Sequence, residues 1–410
     1  MTKVLEGIRV IDLSHVVAGP LASFFLAQMG AEVIKIEKPA GGDVMRAGGN
    51  SAEGDTPAGF AALNAGKRSM AVDIRNPEGA ALVRELARKA DVFIENFRPG
   101  VVAKYGLDHL SIKAVSPDIV YCSISGYGQK GMFSQRGAYD HVIQALTGMM
   151  MMSGDQEDGP PVKVGFPVID VAAGVLGALS VVGALFGRSR GMPGQHIDAS
   201  MVQASLMLMY TNTTAYATSG VTPKRVGNRG YSGSPSADTY QCSDGWLSIA
   251  ANTPVQFRKL CKILGLEALC EDARALDLAA FNSPGGGFVV AKDLEYVRSR
   301  LRDNFVERRS IDMERELNDV GVPAARVRRL GEFLEEARSG CVALPDIRFD
   351  QDGRTVRTTG LGFEYAFASN SDRGAEALGS STRGLMRQLG ISSTRIDELA
   401  LSGIVGIQPE

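Results

Sequence analysis

One carboxylate stands out by its surroundings. Asp170 ends the segment VKVGFPVID and is followed by VAAGVLGALSVVGALFG, 17 uncharged residues from Val171 to Gly187. A carboxylate directly ahead of an apolar helix is most simply an N-cap that accepts hydrogen bonds from the first-turn amides. The position also has a second chemistry. Glycine and small residues leave room around the side chain, and a helix N-terminus favours its ionised form, so it can act as a nucleophile. The residues alone leave both readings open.

Other reactive patterns fall away. Five cysteines (Cys122, Cys242, Cys261, Cys270, Cys341) form no C-x-x-C pair, which reads as a reduced chain in the cytoplasm. Four histidines (His15, His109, His141, His196) lie far apart without metal-ligand spacing, so no metal site is expected. Gly126-Tyr-Gly-Gln-Lys-Gly131 has dinucleotide-loop spacing, but the following MFSQRGAYD lacks the periodicity of a helix that could meet a pyrophosphate. No serine lies in G-x-S-x-G, and Gly285-Gly-Gly287 is not followed by a P-loop lysine.

The elements that must position Asp170 follow from periodicity. Apolar runs at 8–14, 31–37, 69–74, 91–96 and 118–125 alternate with helical patterns, a strand–helix rhythm whose strands read as apolar throughout. That texture predicts an α/β fold with a parallel sheet covered on both faces. Pro20 marks one helix start, and Asn76-Pro77 marks another with a cap and a first-turn proline. The loop from Pro39 to Lys67 is long enough to suggest a functional role. The run 171–187 is shorter than the ~20 residues of a bilayer span and reads as a helix buried in protein, so no membrane is expected. A polar Gly/Pro/Ser-rich stretch over 219–236 marks a domain boundary. The expected organisation is a large domain over 1–205, a linker over 206–230, a small domain over 231–325, and a C-terminal segment, 326–410, returning to the large domain. With 44 basic and 46 acidic residues and a net charge of −2, nucleic-acid binding is not expected.

The motifs in order are LEGIRVIDLSHVVAGPLAS, GAEVIKIEKPAGGD, NAGKRSMAVDI, ADVFIENFRPGV, GYGQKG, AYDHVIQALTGMM and VGFPVIDVAAG. Together they resemble the class III CoA-transferases over almost all of the first 205 residues. The resemblance implies a Rossmann-like large domain plus a smaller α/β domain, joined by long linkers, with two chains interlocked as a homodimer. It implies an enzyme that moves CoA from an acyl-CoA to a carboxylic acid through an aspartyl anhydride and thioester, with no permanently bound cofactor. The family's catalytic aspartate falls on Asp170. Its CoA contacts fall on His15, Val16, Val17 and Ala18, on Lys38 beside the adenine, and on Val72, Asp73, Ile74 and Arg75. Asn96, Phe97, Arg98 and Lys104 continue the set, and Gly137, Ala138, Tyr139 and Asp140 lie near the thioester. Lys38 and Lys104 stand where close relatives carry arginine, which keeps the charge and loses the fork.

Several points of the resemblance bear on specificity. Oxalate-specific members carry glutamine and a bulky aromatic at the positions of Val17 and Gly48, so a larger acid is expected here, with succinyl-CoA and a C4–C5 dicarboxylate as the substrates. Arg46, Arg225 and Arg229 are candidates for pairing a second carboxylate. The segment Gly227 to Gly233 is the nearest counterpart of the family's glycine-rich loop. The alternative is an α-methylacyl-CoA racemase-type isomerase of the same fold. Those enzymes have histidine before the acidic residue at Asp140, where this chain has Tyr139.

Overall fold

Alternating side chains commit each strand of the large unit to two cores. The strands are β1 (Arg9–Leu13), β2 (Glu32–Glu37), β3 (Arg68–Val72), β4 (Val92–Glu95), β5 (Val120–Ser125) and β6 (His196–Ser200). In the computed structural model, which describes residues 3–48, 55–155, 158–344, 347–365 and 372–408, they pair in parallel in the order β3-β2-β1-β4-β5-β6. Val10 of β1 sits between Val33 and Val92 and points to one core, while Ile11 points to the other. The C-terminal strand Val405–Gly406 closes the edge antiparallel to β3. This is the doubly wound order, whose connections reverse direction between β1 and β4. Ligands of such sheets bind outside the carboxyl ends of the strands at that reversal.

The helices follow as α1 (Ala18–Gln28), α2 (Ala58–Asn64), α3 (Pro77–Ala87), α4 (His109–Val115), α5 (Asp140–Leu146) and α6 (Val168–Ser189). Asn76 caps α3 through the Glu78 amide at 2.9 Å with Pro77 behind it, as the sequence predicts. Helices α1 and α6 share one face of the sheet. They run parallel, because Gly174 faces Ala18 and Leu21 while Gly177 faces Ala22. A Cβ on Gly174 would lie 2.7 Å from the Ala18 carbonyl oxygen, so the close approach depends on glycine.

Four expectations change. First, α6 begins at Val168, so Asp170 lies inside its first turn rather than ahead of it, and its side chain caps nothing. The cause is a remote carboxylate, described below, which supplies the cap. Second, α6 is not buried all round: Val171, Val175, Leu179 and Phe186 are exposed in a stripe, while Ala173, Ala178 and Val181 are buried. At 22 residues it is long and apolar enough to cross a membrane. Third, the strands are not apolar throughout. Asp12, Lys35, Glu37, Ser69, Glu95 and Ser123 are buried in or on them. Fourth, the stretch 39–67 contains α2 and a short 3-10 turn, Val44–Ala47; residues 49–54 lie outside the described residues.

The chain divides into two compact units at other bounds than expected. The large unit comprises Met1–Met149, Lys163–Val221 and Leu344–Glu410, and the second comprises Met150–Val162 and Thr222–Ala343. The second unit holds an antiparallel sheet in the order Asp238–Cys242, Gly245–Ile249, Ala324–Arg326. Its helix Pro254–Leu264 is capped by Thr253 and Gln256, and its own core includes Leu247, Phe257, Leu260, Phe305 and Leu317.

The α1–α6 contact is testable by two single substitutions. Gly174→Ala should destabilise the chain by about 1–3 kcal/mol, because the obstacle is a backbone carbonyl that cannot move aside. Gly177→Ala crowds the Ile124 Cδ1 at 2.8 Å, a rotatable side-chain end, and meets the Ala22 Cβ at 3.4 Å, and should cost less. Urea unfolding midpoints of the two variants check the order.

Candidate active site

The carboxyl ends of β1 to β4 surround a cavity of about 310 Å³. It gathers much of the expected CoA set: His15 from the end of β1, Lys38 after β2, Val72, Asp73, Ile74 and Arg75 after β3, and Phe97 after β4. Val101 and Tyr105 close one side. Asp73 holds Arg75 with two contacts of 2.9 and 3.0 Å, a pair at the mouth whose arginine is largely exposed. Lys38 is also exposed.

The loop after β1 is clamped rather than loose. The Asn96 side chain accepts from the His15 amide at 2.9 Å and donates to the His15 carbonyl at 2.8 Å, joining the two strands at the reversal point. The His15 ring leans on Phe97 at 5.0 Å between centroids, and burial lowers its pKa. Val17 is the N-cap residue of α1 and offers no side-chain cap, so the first-turn amides of α1 make no side-chain cap bond there. Asn96 thus shapes the loop, while Val16, Val17 and Ala18 continue it away from the cavity toward α6.

At the far end of that loop a second group assembles. Asp140 Oδ2 accepts from the backbone amides of Ile169 at 2.7 Å and Asp170 at 3.1 Å, which caps α6 from another element. Gln144 donates to the other Asp140 oxygen and accepts from the Val164 amide at 3.0 Å, tying down the chain that leads into α6. Burial, reinforced by the Asp140 charge, raises the Asp170 pKa to about 6. The helix dipole alone would favour the opposite direction, so the expectation of a carboxylate stabilised by its helix gives way to desolvation. The result is a carboxylate ionised at neutral pH with little to stabilise its charge, a favourable state for a nucleophile.

The remaining expected residues divide. Gly137, Ala138 and Tyr139 lead into Asp140 and belong with Asp170, not with the cavity. Tyr139 is exposed, its ring parallel to that of His141 at 6.2 Å. Gly137 leaves space that Arg98 fills: a Cβ there would lie 2.6 Å from its Nη2. Arg98 and Lys104 are exposed outside the cavity lining. Arg46 is occupied by Glu37, with both contacts at 2.7 Å, so it is not held ready for a substrate carboxylate. Arg225 and Arg229, with the segment Gly227 to Gly233, belong to the second unit, where both arginines bond backbone carbonyls.

Sequence reasoning missed the support beneath the loop. Lys35 Nζ lies 3.0 Å from Asp43 Oδ2 and donates to the Ser14 carbonyl at 2.8 Å. Lys67 Nζ reaches Asp12 Oδ2 at 3.1 Å and the Pro20 carbonyl in α1 at 2.8 Å. All four charged groups are buried. Burial lowers the Lys67 pKa to about 8, against the pull of Asp12. Gly19 was missed too, and a Cβ there would come 2.3 Å from the Ser14 Cβ. The available signal was a charged residue flanked on both sides by apolar ones in each of two strands, Asp12 in IRVIDLS and Lys35 in EVIKIE.

The CoA-transferase family III model matches residues 5–366. A succinate–glutarate CoA-transferase of Agrobacterium fabrum is 42% identical over 66% of this chain and 68% of its own length. A succinyl-CoA:glutarate CoA-transferase of Mus musculus is 38% identical over 66% of this chain and 62% of its own length. Among solved structures, a CaiB/BaiF family protein from Brucella suis superposes with a TM-score of 0.81 at 31% identity, covering 95% of this chain and 100% of that one. The motif order and the doubly wound sheet agree with this match, and the chain belongs to CoA-transferase family III as an enzyme of the CoA-transferase type.

Proposed function

We propose that this chain moves CoA from succinyl-CoA to a C4–C5 dicarboxylic acid, with Asp170 as the nucleophile. The observation that carries the reading is Asp170 itself, in the first turn of α6, capped by Asp140 and carrying a pKa raised to about 6 by burial. The names of the Agrobacterium and mouse relatives support the substrate class. The cavity at the strand ends supports a nucleotide-bearing substrate, and CoA needs no permanently bound cofactor beside it.

In this reading an Asp170 oxygen attacks the thioester carbonyl carbon. The C–S bond breaks, CoA leaves as thiolate, and a mixed aspartyl–acyl anhydride remains. The thiolate then attacks the Asp170 carbonyl, releasing the donor acid and leaving an aspartyl–CoA thioester. The acceptor carboxylate attacks that thioester to form a second anhydride, and returning thiolate takes the new acyl group and frees Asp170. Anhydrides hydrolyse readily, so water must be kept out, and each tetrahedral oxyanion needs donors. The first-turn amides of α1, one helix away from Asp170, are the donors we assign. All five cysteines are free thiols, which supports work in the reducing cytoplasm.

A second copy of the chain completes the reading. The exposed stripe Val171, Val175, Leu179 and Phe186 on α6 is the face we assign to the homodimer. Light scattering behind size exclusion should give about twice the 43.6 kDa chain mass; a stable monomer overturns the dimer.

Asp170→Asn should lower kcat at least ~100-fold, about 2.7 kcal/mol in activation free energy. Its melting temperature above pH 6 should hold or rise, because a carboxylate with a raised folded-state pKa destabilises the fold once ionised. For the wild type, kcat/KM should fall with unit slope below about pH 6, and Asp140→Asn should move that limb to lower pH by removing a like charge. Retention of a tenth of kcat in Asp170→Asn excludes the nucleophile.

Donor thioester alone should mark Asp170 covalently. Hydroxylamine should convert it to a hydroxamate within the Val164–Arg188 peptide, and the five cysteine peptides should stay unmodified. An acyl group on a cysteine points to a thiol mechanism. The isomerase alternative requires α-proton exchange of a 2-methylacyl-CoA in D2O at a rate comparable to transfer; Tyr139 stands where such isomerases carry histidine, so no such exchange is expected.

A further inference from the structure

Val16 is the one β-branched residue with a left-handed backbone among the described residues, at φ 68°. The other non-glycine residue in that region, Asp352, is of a type that tolerates it. A valine there is strained, and persists only where its surroundings hold it. Both oxygens of Asp43 face its amide, at 3.3 and 3.2 Å. Asp43 is itself fixed. It accepts from the Met45 amide at 3.0 Å, pairs with Lys35, and donates its own amide to Glu37. The left-handed turn lets His15 line the cavity while, three residues later, Ala18 packs against α6 one turn beyond Asp170.

We propose that Asp43, neutralised by Lys35, is a positioning residue that holds Val16 in its left-handed conformation, so that one short loop sets the CoA cavity and the Asp170 end in register. Asp43 also lines the cavity, and the role proposed for it acts through the backbone of residue 16. The proposal rests on the CoA-transfer reading for its kinetic arm and is independent of it for its structural arm. A glycine adopts φ near 68° without strain, so Val16→Gly should make the clamp dispensable.

The test compares the wild type, Asp43→Asn, Val16→Gly and the double variant, by acyl-CoA transfer kinetics and by hydrogen exchange of the peptide spanning residues 14–21. Asp43→Asn should lower kcat at least ten-fold and speed exchange in that peptide. The double variant should return to within three-fold of Val16→Gly, whatever kcat Val16→Gly itself shows, with slower exchange than Asp43→Asn. If Asp43→Asn does not fold, Lys35→Met/Asp43→Asn removes both charges and leaves no unpaired buried ion, and Val16→Gly is tested on that background. An unchanged kcat in Asp43→Asn, or effects of the two substitutions that simply multiply, overturns the proposal. A wild type that transfers no CoA from any donor while the exchange pattern holds refutes the proposed function and leaves the clamp standing. Normal transfer without rescue refutes the clamp alone.

Discussion

Two lysine ammoniums buried under the carboxyl ends of β1 and β2 are the constraint on which the site depends. Each has its own carboxylate: Lys35 with Asp43, and Lys67 with Asp12. Neither charge has water to fall back on, so removing one partner strands the other at a cost of about 3–5 kcal/mol. Asp12 shows the balance of forces. Burial pushes its pKa up, and Lys67, Lys35 and the Ser14 and Ser23 hydroxyls together bring it below the ordinary value. Because these groups bond main-chain atoms as well as each other, at the Ser14 and Pro20 carbonyls and the Val16 amide, the charges fix backbone rather than merely surviving inside it.

What that network supports is a short path between two chemically different places. The cavity at the carboxyl ends of β1 to β4 places His15, Lys38 and Arg75 among apolar side chains such as Leu13, Val72, Ile74 and Phe97. The Asp140–Asp170 pair is desolvated enough to raise a carboxylate pKa to about 6. Parallel packing of α1 on α6, permitted by Gly174 and Gly177, brings the start of α1 against α6 one turn beyond Asp170. The side chains that do chemistry are therefore few, and most of the molecule's precision lies in backbone held by buried charge and by glycine.

Division of labour between carboxylates follows the same logic. Asp140 is buried and satisfied by two amides and Gln144, so it serves as a cap. Asp170 receives no such bonds to its side chain, and burial beside Asp140 raises its pKa. Two aspartates in contact thus differ in role because one is solvated by the protein and the other is not.

The strand and helix order, the Asn76-Pro77 cap and the singular standing of Asp170 were legible in the sequence, because each depends on neighbours within a few residues. So was family membership, carried by seven motifs in fixed order. The tertiary structure alone decided that Asp170 lies inside its helix, since the cap that frees it comes from Asp140, 30 residues earlier. It decided that Arg46 is already paired, that the second unit takes in Met150–Val162, that Lys35 pairs with Asp43 in the loop after its own strand, and that Lys67 pairs with Asp12 of β1. A charged residue in an apolar strand announces that a partner must exist. Which partner it is, and which backbone atom the pair then holds, depends on contacts between segments far apart in the chain, and local periodicity carries no information about those.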